Sequence, residues 1–243
     1  MAQLQRIAIA PSQFQQDQIL LTSQQIHYLG RVLRLREGDR FIAMDGMGKW
    51  WLAQLTGEQA QVLESLSVET ELPIAITLIV ALPKGNGFDE VVRCCTEIGV
   101  TCIAPVMSDR TLLHPSPQKL ERWRRIAAEA AEQSERAFVP TILEPVAFTS
   151  KLNCQESIVN SQQYICEARG NYPHLLNCLP NQETRANEQE LIIATGPEGG
   201  WTEQEVENAI ASGFQPVSLG RRILRAVTAP IVALSLVTAA YEV

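Results

Sequence analysis

The chain has 243 residues, 46% of them hydrophobic and 19% charged, with a formal net charge of −7 and a pI near 5.1. That is ordinary for a globular chain that buries a real core, as one large domain or as a small one plus a medium one. The acidic balance, taken alone, argues against a nucleic-acid partner.

No N-terminal stretch reads as basic then apolar, so no signal peptide is expected. The most apolar C-terminal stretch, Ala226 to Tyr241, is interrupted by Thr228, Pro230, Ser235 and Thr238. It is too short and polar for a membrane span and reads as a buried or subunit-contact helix, with the cytoplasm as the expected compartment.

In chain order, short alternating segments come first: Gln5 to Ala10, Arg40 to Ala43, Trp50 to Thr56 and Gln59 to Leu66, separated by turns such as Asp45-Gly46. They predict strands. One helix is expected from Ser23 to Leu33, with Ile26, Leu29, Val32 and Leu33 on its apolar face. Together these describe a small β-barrel over residues 1–72, with Glu69 to Pro73 as linker. From Ile74 onward strands and helices alternate. Ile76 to Leu82 is a near-continuous apolar run, the mark of a strand covered on both faces. A helix is expected from Phe88 to Ile98, stopped by Gly99. A strand at Cys102 to Val106 precedes a long helix from Pro117 to about Arg136. Further strands are expected at Tyr164 to Glu167, Glu190 to Thr195 and Pro216 to Leu219. Thr202-Glu203-Gln204-Glu205 forms a capping box for a helix running to Gly213. The last helix begins near Ala229 or Pro230. The alternation predicts an α/β domain over residues 73–243, a mostly parallel sheet covered by helices.

Six cysteines (Cys94, Cys95, Cys102, Cys154, Cys166 and Cys178) are scattered without a CxxC pair, which argues against a zinc or redox site. Arginines cluster at Arg31, Arg34, Arg36 and Arg40, at Arg122, Arg124 and Arg125, and at Arg221, Arg222 and Arg225. Each cluster alone reads as a solvated surface; all three on one side would make a nucleic-acid face.

The turn Gly196-Pro197-Glu198-Gly199-Gly200 follows the strand ending at Thr195. Glycine-rich turns at helix starts usually hold phosphate. This one lacks GxxxxGK[ST] and GxGxxG spacing, and Glu198 repels phosphate as water leaves the site. A ligand with adenosine-like hydroxyls or with positive charge fits better, and S-adenosylmethionine has both. The bland alternative is that Glu198 only favours the dipole of the following helix.

GPEGGWTEQE followed by LGRRILRAVTAP resembles the paired C-terminal signatures of the bacterial 16S ribosomal RNA uridine-N3 methyltransferases, a branch of the SPOUT superfamily. His27, Val32-Leu33-Arg34 and Gly38-Asp39 resemble that family's HxxxxVLRxxxGD element in a PUA-like domain. Thr96 to Val100 resembles its TELGV segment, and Glu129 to Arg136 its EAxEQSxR helix. The resemblance implies a homodimer with a trefoil-knotted C-terminal domain, S-adenosylmethionine as cofactor, no metal, and methylation of a uridine in the assembled small ribosomal subunit. It places the cofactor at Leu82 and Pro83, and at Thr195, Gly196, Pro197, Glu198, Gly199 and Gly200. It adds Ser218, Leu219 and Gly220, then Ile223, Leu224 and Arg225. Two departures stand out: Val227 replaces a family glutamate, and Cys94 a frequent lysine.

N3 of uracil must lose its proton, leaving negative charge on the flanking oxygens. Arg225, always cationic, is the candidate to stabilise it and cannot be the base. His27, His114 and His174 sit in ordinary contexts, and Asp109 beside Arg110 is only weakly placed, so the base is unassigned. RNA contacts are expected from Arg31, Arg34, Lys84, Arg110 and Arg136, with solubility as the competing reading for Arg31. Alternative functions are a transfer-RNA methyltransferase of the same superfamily and a non-catalytic RNA-binding or assembly factor that kept the fold.

Overall fold

The computed structural model describes residues 4–111, 115–153, 161–180 and 190–242; His114 and Cys154 lie outside the described residues. The chain forms two compact units. The smaller contains residues up to Glu71 together with Ala131–Val139, and the larger contains Leu72–Ala130 and Pro140 onward.

The smaller unit is built on one six-stranded sheet. Its strands are β1 (Arg6–Ala8), β2 (Phe14–Gln15), β3 (Gln18–Leu20), β4 (Arg40–Met44), β5 (Trp50–Thr56) and β6 (Gln59–Leu66), ordered β1-β4-β5-β6-β3-β2. Only β1 and β4 pair in parallel. Alternation puts Phe41, Ala43, Ala53 and Leu55 into one core with Ile7, Ile19 and Leu29. The expected helix at Ser23 divides into two parts. Helix α1 (Ser23–His27) starts on a capping box, Thr22 with Gln25, and passes into a π-helical turn, Tyr28–Val32, closed by Leu33 N–H donating to Tyr28 O. The wider turn breaks the 3.6-residue register. Leu29 stays in the core, whereas Val32, expected on the same face, is 57% exposed.

Residues 131–139 complete this unit. Glu132 Oε2 accepts from Ala8 N, and Glu135 pairs with Arg6 at 2.8 Å. Gly48 N donates to Ala137 O and Val139 N to Gly46 O. Arg136 is 4% exposed, and its Nε donates to Glu71 Oε2 at 3.2 Å. The other Glu71 oxygen accepts from Ala137 N and Phe138 N. Arg136, expected on RNA, thus has a buried guanidinium paired with Glu71.

The larger unit carries a sheet in which every pairing is parallel. Its main strands are β7 (Ala75–Ala81), β8 (Cys102–Met107), β11 (Ser161–Cys166), β12 (Glu190–Thr195) and β13 (Gln215–Val217). Two-residue strands β9 (Thr141–Ile142) and β10 (Val146–Ala147) both pair with β8, and the order is β10-β8-β7-β12-β11-β13. The central strand β7 is buried from Ile76 to Ala81, as its near-continuous apolar run predicts. Helix α2 (Gly87–Ile98) ends at Gly99, whose φ of +109° continues the chain where a side chain would strain it. Helix α3 (Pro117–Gln133) stops short of the expected Arg136, ahead of Glu135 at φ +62°. Short helices α4 (Phe148–Asn153) and α5 (Leu175–Cys178), with β9 and β10, were not expected; elements this brief leave no periodicity to read. Helix α6 (Glu203–Ala211) begins on the predicted Thr202–Glu205 box. Helix α7 (Thr228–Tyr241) packs on α2, α5 and β12. Among the described residues no helix is long and apolar enough to cross a membrane.

Candidate active site

Parallel strands deliver their following loops to one edge of the sheet, and the neighbouring strands β7, β12, β11 and β13 do so here. The loop after β12 is the glycine turn. Its carboxylate has a specific partner: Glu198 Oε1 accepts the Lys84 amide at 2.9 Å, tying the turn to the loop after β7. Arg110 holds the same turn from another side, with Nη1 donating to Gly199 O at 2.6 Å and Trp201 O at 3.1 Å. Buried Glu205 links a third loop, accepting from Asp109 N through one oxygen and Thr202 N through the other. Two of the glycines sit in close quarters. A Cβ on Gly196 would sit 3.2 Å from the Trp201 indole nitrogen, and one on Gly199 would sit 3.1 Å from Arg110 Cδ.

The loop after β11 is equally constrained. Glu167 N donates to Val217 O, and Glu167 Oε1 accepts from Arg169 N at 2.8 Å. Gly170 adopts φ +102° with the Tyr172 ring against it. After β13, Ser218 N donates to Pro173 O and Ser218 O accepts from Leu175 N, while Gly220 turns the chain at φ +117°.

These loops surround a cleft. Its walls come from residues 166–169, from 196–201, and from 219–229 in part, with Arg110 at one side. Of the residues expected from the sequence, Gly196, Pro197, Glu198, Gly199, Gly200, Leu219, Gly220, Ile223 and Leu224 are thus brought together. Leu82, Pro83 and Thr195 are buried and are not on the wall. Thr195 Oγ1 is enclosed, and among the described residues it has no hydrogen-bond partner. Ser218 stitches β13 to the Pro173 segment. Arg225 is exposed and does not line the cleft; its carbonyl accepts the amides of Thr228 and Ala229 and so opens helix α7. Lys84 is exposed, as are Arg31 and Arg34, which belong to the smaller unit. The cluster Arg122, Arg124 and Arg125 pairs with Asp89, Glu121 and Glu129, so its charge is locally balanced.

The sequence reading missed Cys166, Glu167, Ala168, Arg169, Trp201 and Arg222 as wall residues. The signal for the first four was present: Gly170 follows a predicted strand, the same mark that drew attention to Gly196 and Gly220. Cys166 is buried, and burial pushes its thiol up to about 12, so it stays protonated and unreactive at neutral pH. Val227 is half-buried, and its Cγ2 fills the space a Cβ on Gly87 would need, 2.7 Å away. Among the described residues, no cluster of His, Cys, Asp and Glu could hold a metal ion.

An α/β domain with its ligand cleft at the carboxyl edge of a parallel sheet, carried in one chain with a small β-sheet unit, is the class that fold and site define. The model of an RNA methyltransferase domain matches residues 70–238, and that of an RNA methyltransferase PUA domain matches residues 21–63. The chain belongs to this RNA methyltransferase family. It is 49% identical to ribosomal RNA small subunit methyltransferase E of Synechocystis, over 98% of this chain and 78% of that protein. It is 31% identical to the Bacillus subtilis protein of the same name, over 90% and 88%. Among solved structures, ribosomal RNA small subunit methyltransferase E of Neisseria gonorrhoeae bound to S-adenosyl methionine superposes with a TM-score of 0.83 at 31% identity, over 98% of both chains. A Legionella pneumophila methyltransferase in complex with the same cofactor gives 0.83 at 27% identity, also over 98% of both.

Proposed function

We propose that the protein transfers a methyl group from S-adenosylmethionine to N3 of a uridine in 16S ribosomal RNA of the assembled small subunit. The observation that carries this reading is the cleft itself. Its glycine turn lets a ligand approach the backbone closely, and among the described residues its walls carry Glu167 and Glu198 beside Arg110, Arg169 and Arg222, with no lysine. The turn lacks GxxxxGK[ST] spacing, so the cleft suits an adenosine-bearing ligand better than a polyphosphate held in the P-loop manner. When bound, the cofactor supplies an electrophilic methyl group on a good leaving group. The chain supplies alignment and shielding from water: the walls from residues 196–201 and 219–224 hold the donor, and the three tied loops keep the cleft in one geometry.

Residues 1–72 act as an RNA-binding domain and 73–243 as the catalytic domain. Exposed Arg31 and Arg34 contact RNA from the first, and Lys84 from the second. The working form is a cytoplasmic homodimer with a trefoil knot in the catalytic domain. Helix α7 supports both features: it carries no charged residue, leaves Ile231, Val232 and Leu236 half-exposed, and returns from edge strand β13 to pack on α2.

The test is transfer from labelled S-adenosylmethionine to small subunits that lack N3-methyluridine, with free ribosomal RNA and transfer RNA in parallel and nucleoside mass analysis of each. N3-methyluridine from subunits alone is expected. Product on transfer RNA would move the reading to that substrate. Cofactor binding with no product on any RNA would make the chain a binder that kept the fold.

A further inference from the structure

The cleft wall carries three arginines in two different conditions. Arg110 is committed to two carbonyls of the glycine turn. Arg169, on the loop after β11, and Arg222, on the segment after β13, are exposed, and among the described residues neither guanidinium makes an ion pair or a hydrogen bond. The two acids on the wall each accept a backbone amide: Glu167 that of Arg169, and Glu198 that of Lys84.

We propose that Arg169 is the catalytic residue that stabilises the uracil anion, in place of Arg225, and that Arg222 holds the substrate backbone. The proposal rests on the methyl-transfer reading above and explains why no base stands out. N3 loses its proton to solvent. Its lone pair then forms the new bond to the methyl carbon as the carbon–sulfur bond breaks, and that electron pair stays on sulfur, leaving a neutral thioether. The anion formed in the first step spreads onto the ring oxygens. A guanidinium beside them lowers the pKa of N3, so no protein base is needed.

Arg169 suits this work because its backbone is fixed on both sides. The Glu167 carboxylate holds its amide, and the left-handed Gly170, covered by Tyr172, follows it. A donor aimed at developing charge acts best when it needs no rearrangement. Arg222 has a different setting. It precedes Ile223, which is 74% exposed, on a segment anchored at Gly220 on one side and at Arg225 on the other. A long cation on that segment suits a phosphate, where position matters less than charge.

The experiment measures kcat and KM against pH on unmethylated small subunits for the wild-type enzyme, Arg169→Gln, Arg169→Lys and Arg222→Gln, with cofactor affinity and thermal midpoint taken for each. Wild-type turnover tests the underlying reading separately. For Arg169→Gln the expected result is a kcat lower by about 100-fold at neutral pH and a rate inflection moved up by one to two pH units, since the lost cation had favoured the anion. Cofactor affinity and midpoint stay unchanged, and Arg169→Lys keeps most of the wild-type inflection. Arg222→Gln raises KM and leaves the inflection in place. An unmoved inflection in Arg169→Gln overturns the proposal. So does a fall in its rate that is matched by lost cofactor affinity or a lower midpoint, and so does an inflection that moves with Arg222 instead.

Discussion

Residues 131–139 of the smaller unit and 166–170 of the larger one are both short, charged segments that end a regular element, and they use charge in opposite ways. In the first, Glu132, Glu135 and Arg136 all bond to the sheet unit or to Glu71. In the second, one carboxylate fixes the backbone, and among the described residues the guanidinium of the arginine beside it makes no ion pair or hydrogen bond. The lesson is that an arginine's role follows from what neighbours it after folding. A buried guanidinium without its acid is costly, so pairing makes it structural; an exposed one on a rigid loop is available to a ligand.

That contrast can be broken or sharpened by substitution. Arg136→Ala should have the largest effect on stability, about 3 kcal/mol, because Glu71 loses its cation while still holding two amides. Chemical denaturation measures it, and an unchanged midpoint with weakened RNA binding would return Arg136 to the RNA. Gly87→Ala is next, at about 1–3 kcal/mol, since its Cβ would meet Val227 Cγ2 at 2.7 Å. In a double-mutant cycle Val227→Ala should recover most of that loss; additive losses would mean that the two sites do not touch. Arg110→Ala removes two bonds to the glycine turn at an exposed site, so about 1 kcal/mol of stability and about 10-fold in cofactor affinity are expected. Calorimetric titration decides it, and full affinity would show that the turn holds its shape unaided. Arg125→Ala should be the smallest, below about 0.5 kcal/mol, because its pairing with Glu129 is long at 3.7 Å and exposed on both sides. A larger shift in midpoint would mean that the exposed pairs on α3 are not the solvated surface described above.

Where Val227 replaces glutamate, the structure offers a packing account: the side chain lies against Gly87 at the start of α2. Val227→Glu therefore tests room as well as charge, and its effect on midpoint should be read beside its effect on rate.

Much was legible in the chain itself. Local rules sufficed for β7, whose apolar run matches burial on both faces, for the Thr202 cap of α6, and for Gly99 at the end of α2. The glycine turn could also be read as a candidate ligand loop, and it lines the cleft, because its residue types and spacing sit within one short stretch. The π-helical turn at Tyr28 was not legible, since one widened turn leaves the sequence periodicity looking helical. Only the tertiary structure could decide the partners of Glu198 and Arg136, the exclusion of Arg225 from the cleft wall, and the inclusion of Arg169. Lys84 and Glu198 stand 114 positions apart, Glu71 and Arg136 65 apart. Local propensity acts over a few residues. Which charges meet across such distances depends on strand order and loop geometry, and these are set by the packing of the whole sheet.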